Sequence, residues 1–206
     1  ANDVRASDPE YFSRRSARQE PHFLFIGGHD SRIPSEAITG TLPGEVLMHR
    51  NIANQVHPND FNTLSVIEYA VEVLDVKHIV ISGHYGCGGI QAAMQPMGHG
   101  IVDHWLHMVR ELRSRHAAEL AALPDDVARA ERLVELNVVA QVVQLARTPI
   151  VQRAWSRGKR PLLSGMVYDT HDGLLRPLVL GVCDAESCAQ AQTEPVKTYV
   201  SELQHG

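Results

Sequence analysis

The stretch Phe23-Leu24-Phe25-Ile26-Gly27-Gly28-His29-Asp30-Ser31-Arg32 decides how the rest of the chain is read. Four consecutive apolar residues without polar alternation fit a strand buried on both faces, the pattern of a parallel sheet. Two glycines end the run and a polar cluster follows at once. Ligand chemistry in α/β sheets gathers beyond the carboxyl ends of strands, so this junction is a candidate site.

Working outward, Val46-Leu47-Met48 and His78-Ile79-Val80-Ile81 are runs of the same kind. Between them, residues 63–74 carry Leu64, Ile67, Val71 and Leu74 at helical spacing. Strand, helix, strand in succession predicts βαβ units and a parallel sheet. Upstream, Asp8-Pro9-Glu10 ahead of residues 11–18 reads as a capped short helix, with proline allowed in the first turn. Downstream, residues 101–120 and 127–147 predict two long amphipathic helices separated by the start signal Pro124-Asp125-Asp126. Residues 158–170 and 174–182 predict two more strands joined through the turn-like His171-Asp172-Gly173. The fold class is therefore α/β, a mostly parallel β-sheet flanked by helices. One domain over residues 1–206 is expected, with an N-terminal helical arm (1–20) and a weakly patterned C-terminal tail (185–206) expected as a terminal helix.

Composition supports this frame and excludes other classes. A chain of 206 residues suits one full core, and 44% hydrophobic with 21% charged residues is ordinary for a globular protein. The net charge of −5 without a basic block argues against nucleic acid or an anionic membrane as main partner. No apolar stretch reaches the roughly 18 residues of a spanning helix, and no signal-peptide core is seen. Three cysteines, Cys87, Cys183 and Cys188, do not make a disulfide framework. A reduced, cytoplasmic setting is expected, with Cys87 as the chemically special thiol.

Cys87 stands in His84-Tyr85-Gly86-Cys87-Gly88-Gly89, just after the third apolar run. An imidazole and a thiolate presented by one tight loop suit zinc, which takes such ligands at about 2.0–2.3 Å. Paired with residues 26–32, this segment resembles the signature of the β-class carbonic anhydrases. The likeness extends over residues 23–53 and 64–93, then Glu135-Leu136-Asn137-Val138 and His171-Asp172-Gly173-Leu174-Leu175, in the order of bacterial members. The resemblance implies a parallel sheet with an added edge strand, assembled as a homodimer that often pairs into a tetramer. It also implies that the N-terminal helix reaches across to the partner subunit. The implied reaction is the reversible hydration of carbon dioxide to bicarbonate, with Zn2+ as cofactor.

By the same resemblance His84 and Cys87 are zinc ligands, and Asp30 and Arg32 form the catalytic dyad. An arginine forked onto a carboxylate fixes its orientation, so Asp30 is expected to hold a metal-bound water or, in some members, to bind the metal itself. Gln19 and the backbone at Gly88 and Gly89 match substrate-binding positions. Arg50 and Tyr168 match a non-catalytic bicarbonate pocket whose usual tryptophan is Phe25 here.

Gly28 is the departure, because the family carries its first zinc-ligand cysteine there. Two remaining ligands are too few for a usual catalytic zinc. Three outcomes are open: His29 turns inward as a substitute ligand, Asp30 binds the metal, or zinc is weak or absent with solvent or an anion in its place. Strand geometry opposes the first, since Gly28 and Asp30 share a face and His29 points away, although glycine admits other backbone angles. Hydrolysis of carbonyl sulfide or carbon disulfide, or a zinc-poor, silent, anion-binding role, remain alternatives to carbon dioxide hydration.

Overall fold

A computed structural model describes residues 8–98, 100–158 and 160–193. Helix α1 (Tyr11–Ala17) leads into strand β1 (Phe23–Gly28). A short helix α2 (Ser35–Thr39), strand β2 (Val46–Asn51) and a 3-10 turn (Ile52–Asn54) follow. Helix α3 (Phe61–Glu68) starts at Asp60, whose side chain accepts from the Asn62 amide at 3.1 Å, and runs on into a π-helical turn (Tyr69–Val73). Strand β3 (His78–His84) is followed by helix α4 (Gly88–Met94).

The helical third comprises α5 (Ile101–Trp105), α6 (His107–Arg115), α7 (Ala117–Ala121) and α8 (Asp126–Ala146). Asp125 caps α8, accepting from the Ala128 amide at 2.8 Å. Helix α9 (Pro149–Ser156) has proline in its first turn behind the Thr148 cap. Strands β4 (Leu162–Tyr168) and β5 (Leu175–Val182) and helix α10 (Ala185–Thr193) complete the described chain. Among the described residues, no helix is long and apolar enough to cross a membrane.

All five strands form one sheet in the order β2-β1-β3-β4-β5. The first four are parallel; β5 joins β4 antiparallel as an edge strand, matching the sheet implied by the sequence. From β1 the chain goes to β2 on one side and to β3 on the other, so the carboxyl ends of β1 and β3 bound the switch-point crevice. Helix α8 packs across β3, β4 and β5 and is buried over most of its length. Leu24 and Ile26 on β1, Ile79 and Ile81 on β3, and Leu133, Val138 and Val142 on α8 belong to one core cluster.

Two expectations need correction. Residues 101–120 are three short helices, not one. The backbone leaves the helical region at Leu106 (φ −85°, ψ 8°) and His116 (φ −103°, ψ 20°), and Arg110 draws α6 back over the end of α4 by donating to the carbonyls of Ala92, Ala93 and Gln95. Residues 63–74 are not uniformly α-helical, since the Leu74 amide reaches back five residues to the Tyr69 carbonyl at 3.0 Å. Of the expected terminal regions, residues 1–7 and 194–206 lie outside the described residues.

Candidate active site

Beyond β1, the chain turns through residues 28–33 with its carbonyls pinned. Arg50 on β2 donates from Nε to the Gly28 carbonyl (3.0 Å) and from Nη2 to those of Asp30 (2.7 Å) and Ile33 (2.9 Å). Within this loop Arg32 forks onto Asp30, Nε to Oδ1 at 2.9 Å and Nη2 to Oδ2 at 2.7 Å, and its amide adds a third bond to Oδ1 at 2.9 Å. Hydrogen bonding from Arg32, opposed by partial burial, holds the Asp30 carboxyl well below the usual carboxylate range. Arg32 Nη2 also reaches the Gly86 carbonyl at 3.2 Å, which ties the β1 loop to the β3 loop.

His84 is the last residue of β3 and is 2% exposed. Its Nε2 lies 3.1 Å from Asp30 Oδ2. An ionised carboxylate only accepts, so Nε2 carries the proton and donates. Burial, partly opposed by Asp30, lowers the His84 pKa. Cys87 is buried, and burial pushes its thiol up against the amides of Ile90 and Gly89, which point at the sulfur. A Cβ built on Gly28 would sit 2.8 Å from His84 Cε1 and 3.0 Å from Nδ1, so the imidazole occupies the space a side chain at 28 would need.

A cavity of about 270 Å³ opens between these groups. Its polar lining includes Asp30, His84, Cys87 and the exposed His29, and its apolar wall is Ile52, Ala53, Ala92 and Val102. Gly88 and Gly89 also line it. Gln19 is not among the lining residues; within one chain its amide lies 3.4 Å from the Tyr69 hydroxyl. Arg50 and Tyr168 are not brought together either. They stand on the first and fourth strands of the sheet order, and Arg50 is engaged by the three loop carbonyls.

The carbonic anhydrase family matches residues 23–175 of this chain. A carbonic anhydrase from Emericella nidulans is 45% identical over 174 residues, covering 84% of this chain and 76% of that protein. The chain belongs to the β-carbonic anhydrase family. Among solved structures, a tetrameric β-carbonic anhydrase from Sordaria macrospora superposes with a TM-score of 0.82 at 40% identity, covering 86% of this chain and 90% of that one. The Coccomyxa β-carbonic anhydrase in complex with acetazolamide gives 0.87 at 35%, covering 98% and 90%.

β-Carbonic anhydrases are zinc enzymes, and the donor set of this chain does not fit the family's metal as it is arranged. Gly28 offers nothing, His84 Nε2 is spent on Asp30, and Cys87 faces two amides. Among the described residues, no group of three or more His, Cys, Asp or Glu side chains is placed to hold a metal ion. Nor is an orphaned donor waiting for one. Among the described residues, the buried side-chain nitrogens and oxygens without a partner are Asn54 Nδ2 and Arg110 Nε, and neither lines this cavity.

The sequence reading missed the polar support behind the pocket wall. Ala53 and Asn54 hold positive φ (61° and 46°), and a buried lattice pins this turn. Asn51 bonds both the amide and the carbonyl of Gln55, while Gln55 and the Ala53 carbonyl meet Asn137, and Gln141 takes the Val56 amide. Below β3, the Tyr85 hydroxyl donates to Glu135 at 2.7 Å, and Arg132 reaches the other oxygen of Glu135 at 2.7 Å. The signal was present: the polar pair Asn54-Gln55 follows the apolar run of β2 and Ile52-Ala53, and Glu135 and Asn137 interrupt an apolar helix.

Proposed function

We propose that this chain catalyses the reversible hydration of carbon dioxide to bicarbonate in the cavity between β1 and β3. The observation that carries the reading is the Arg32 fork on Asp30 at the mouth of a small, largely apolar cavity. Asp30 stays ionised and can only accept; Arg32 holds Oδ1 with two bonds, so Asp30 takes up and orients a water at Oδ2 once the His84 bond there opens, leaving the water's lone pair facing the cavity. Ile52, Ala53, Ala92 and Val102 give an uncharged linear molecule a wall without competing hydrogen bonds. Arg32, more than half exposed, supplies positive charge where bicarbonate forms and leaves. No step is routed through zinc, because the donors do not complete its site. Assembly as a homodimer, or a dimer of dimers, accords with the tetrameric Sordaria relatives. A cytoplasmic location is in keeping with three free cysteines.

A second reading, a silent anion-binding protein, is favoured by one observation: His84 is paired with Asp30 instead of being free to ligate. Stopped-flow hydration of carbon dioxide, read by a pH indicator, separates the two. Acceleration over buffer, with bicarbonate dehydration accelerated in proportion, is expected. No acceleration together with saturable bicarbonate binding selects the second reading. Turnover of carbonyl sulfide or carbon disulfide without carbon dioxide turnover reassigns the substrate.

A further inference from the structure

We infer that residue 28 controls whether His84 is available as a metal ligand, and that with glycine there the pocket folds as a closed, metal-free chain of hydrogen bonds. The inference concerns the same pocket as the proposed hydration but rests on geometry alone.

The first observation is steric. The nearest atoms to a Cβ on Gly28 are His84 Cε1 at 2.8 Å and Nδ1 at 3.0 Å. Contacts this short are not tolerated, so any side chain at 28 and this imidazole position exclude one another. The second observation is what the ring gains by occupying that space. Its Nε2 reaches Asp30 Oδ2, the oxygen that Arg32 Nη2 also holds, giving the continuous chain His84–Asp30–Arg32–Gly86 carbonyl. The third is that the remaining nitrogen has nowhere to serve a metal. Nδ1 faces Gly28, and the small void behind the ring is walled by Phe25, Gly27, Ile33 and Ser82, with the Arg50 cation nearby. No carboxylate or thiolate lines that side.

Each donor the family would give to zinc is thus satisfied within the protein. A metal would have to break the His84–Asp30 bond and would gain fewer protein ligands than a tetrahedral site needs. The missing cysteine therefore does more than subtract a ligand. Its absence releases the volume that lets a second ligand turn away.

The test compares the full chain with Gly28→Ala and Gly28→Cys. Each is stripped with chelator, loaded with zinc alone, and gel-filtered before metal analysis, while histidine ring 15N shifts are followed. The unaltered chain should retain well below one zinc, with His84 resonances unmoved. Gly28→Ala should move those resonances even without metal, since its Cβ displaces the ring and adds no donor. Gly28→Cys should retain about one zinc per chain and bind it at least about a hundredfold tighter. One zinc per unaltered chain with a shifted His84 ring would overturn the inference, as would an unmoved ring in Gly28→Ala. Should Gly28→Cys fail to fold, the other two proteins decide the question. None of these readouts is hydration, so the two proposals fail separately: a zinc-bound, active unaltered chain sinks this one and sustains the other.

Discussion

The carboxyl ends of β1 and β3 lie side by side and have fared differently. The β3 end keeps a full set of chemical groups: His84, then Cys87, then the glycines that open α4. The β1 end carries the carboxylate and guanidinium of Asp30 and Arg32 but has glycine at 28. On the other strand, the His84 ring stands where a side chain at 28 would have to be. Close-packed interiors leave few voids, so a deletion on one element is answered by the nearest group able to rotate. Chemical inventory on one strand is thus conditional on bulk on its neighbour.

Three substitutions break or sharpen this comparison. On the β1 side, Asp30→Asn keeps the shape but removes the charge that accepts from water, Arg32 and His84. Stopped-flow hydration should fall about a hundredfold or more as the oriented water is lost, and the thermal midpoint should fall as well, because the new amide NH2 faces a donor. On the β3 side, Glu135→Ala leaves buried Arg132 and the Tyr85 hydroxyl short of a partner. Breaking a buried pair from one side costs about 3 kcal/mol, so urea denaturation should show a clearly lower midpoint. An unchanged midpoint would mean that β3 is not anchored from α8. Gly89→Ala is the smallest: its Cβ would meet Ile52 Cγ2 at 2.8 Å and Ala53 Cβ at 3.2 Å. Overpacking of about 1–3 kcal/mol is expected, together with a narrowed cavity and a raised KM for carbon dioxide.

Much of this molecule was legible in its sequence, and the illegible parts share a cause. Continuous apolar runs gave β1 and β3, which are buried over most of their length, while the half-buried edge strand β2 showed only as the short run Val46-Leu47-Met48. The pairing of residues 26–32 with 84–89 was legible because both follow such runs. Helix ends inside residues 101–120 were not, since Leu106 and His116 carry no breaker signal and the long-range tie of Arg110 to the end of α4 cannot be read from spacing. The π turn escaped because apolar spacing of three and four residues suits either helix. The position of the His84 ring was least legible. Residue types around Gly28 point to His29, Asp30 or solvent for the gap, whereas the group beside it is the His84 ring from the neighbouring strand. A rotamer set by an absent atom leaves no trace in residue spacing.

Arg50 carries a further consequence. By donating to the carbonyls of Gly28, Asp30 and Ile33 it fastens the dyad loop to a strand of the sheet. A three-atom gas offers too little contact to order a loop on arrival, so whatever precision the reaction needs must be present beforehand. The dyad loop is therefore set in place before the substrate arrives. Turnover should be limited by how fast protons and small molecules exchange through a fixed opening, and not by the opening and closing of the protein around them.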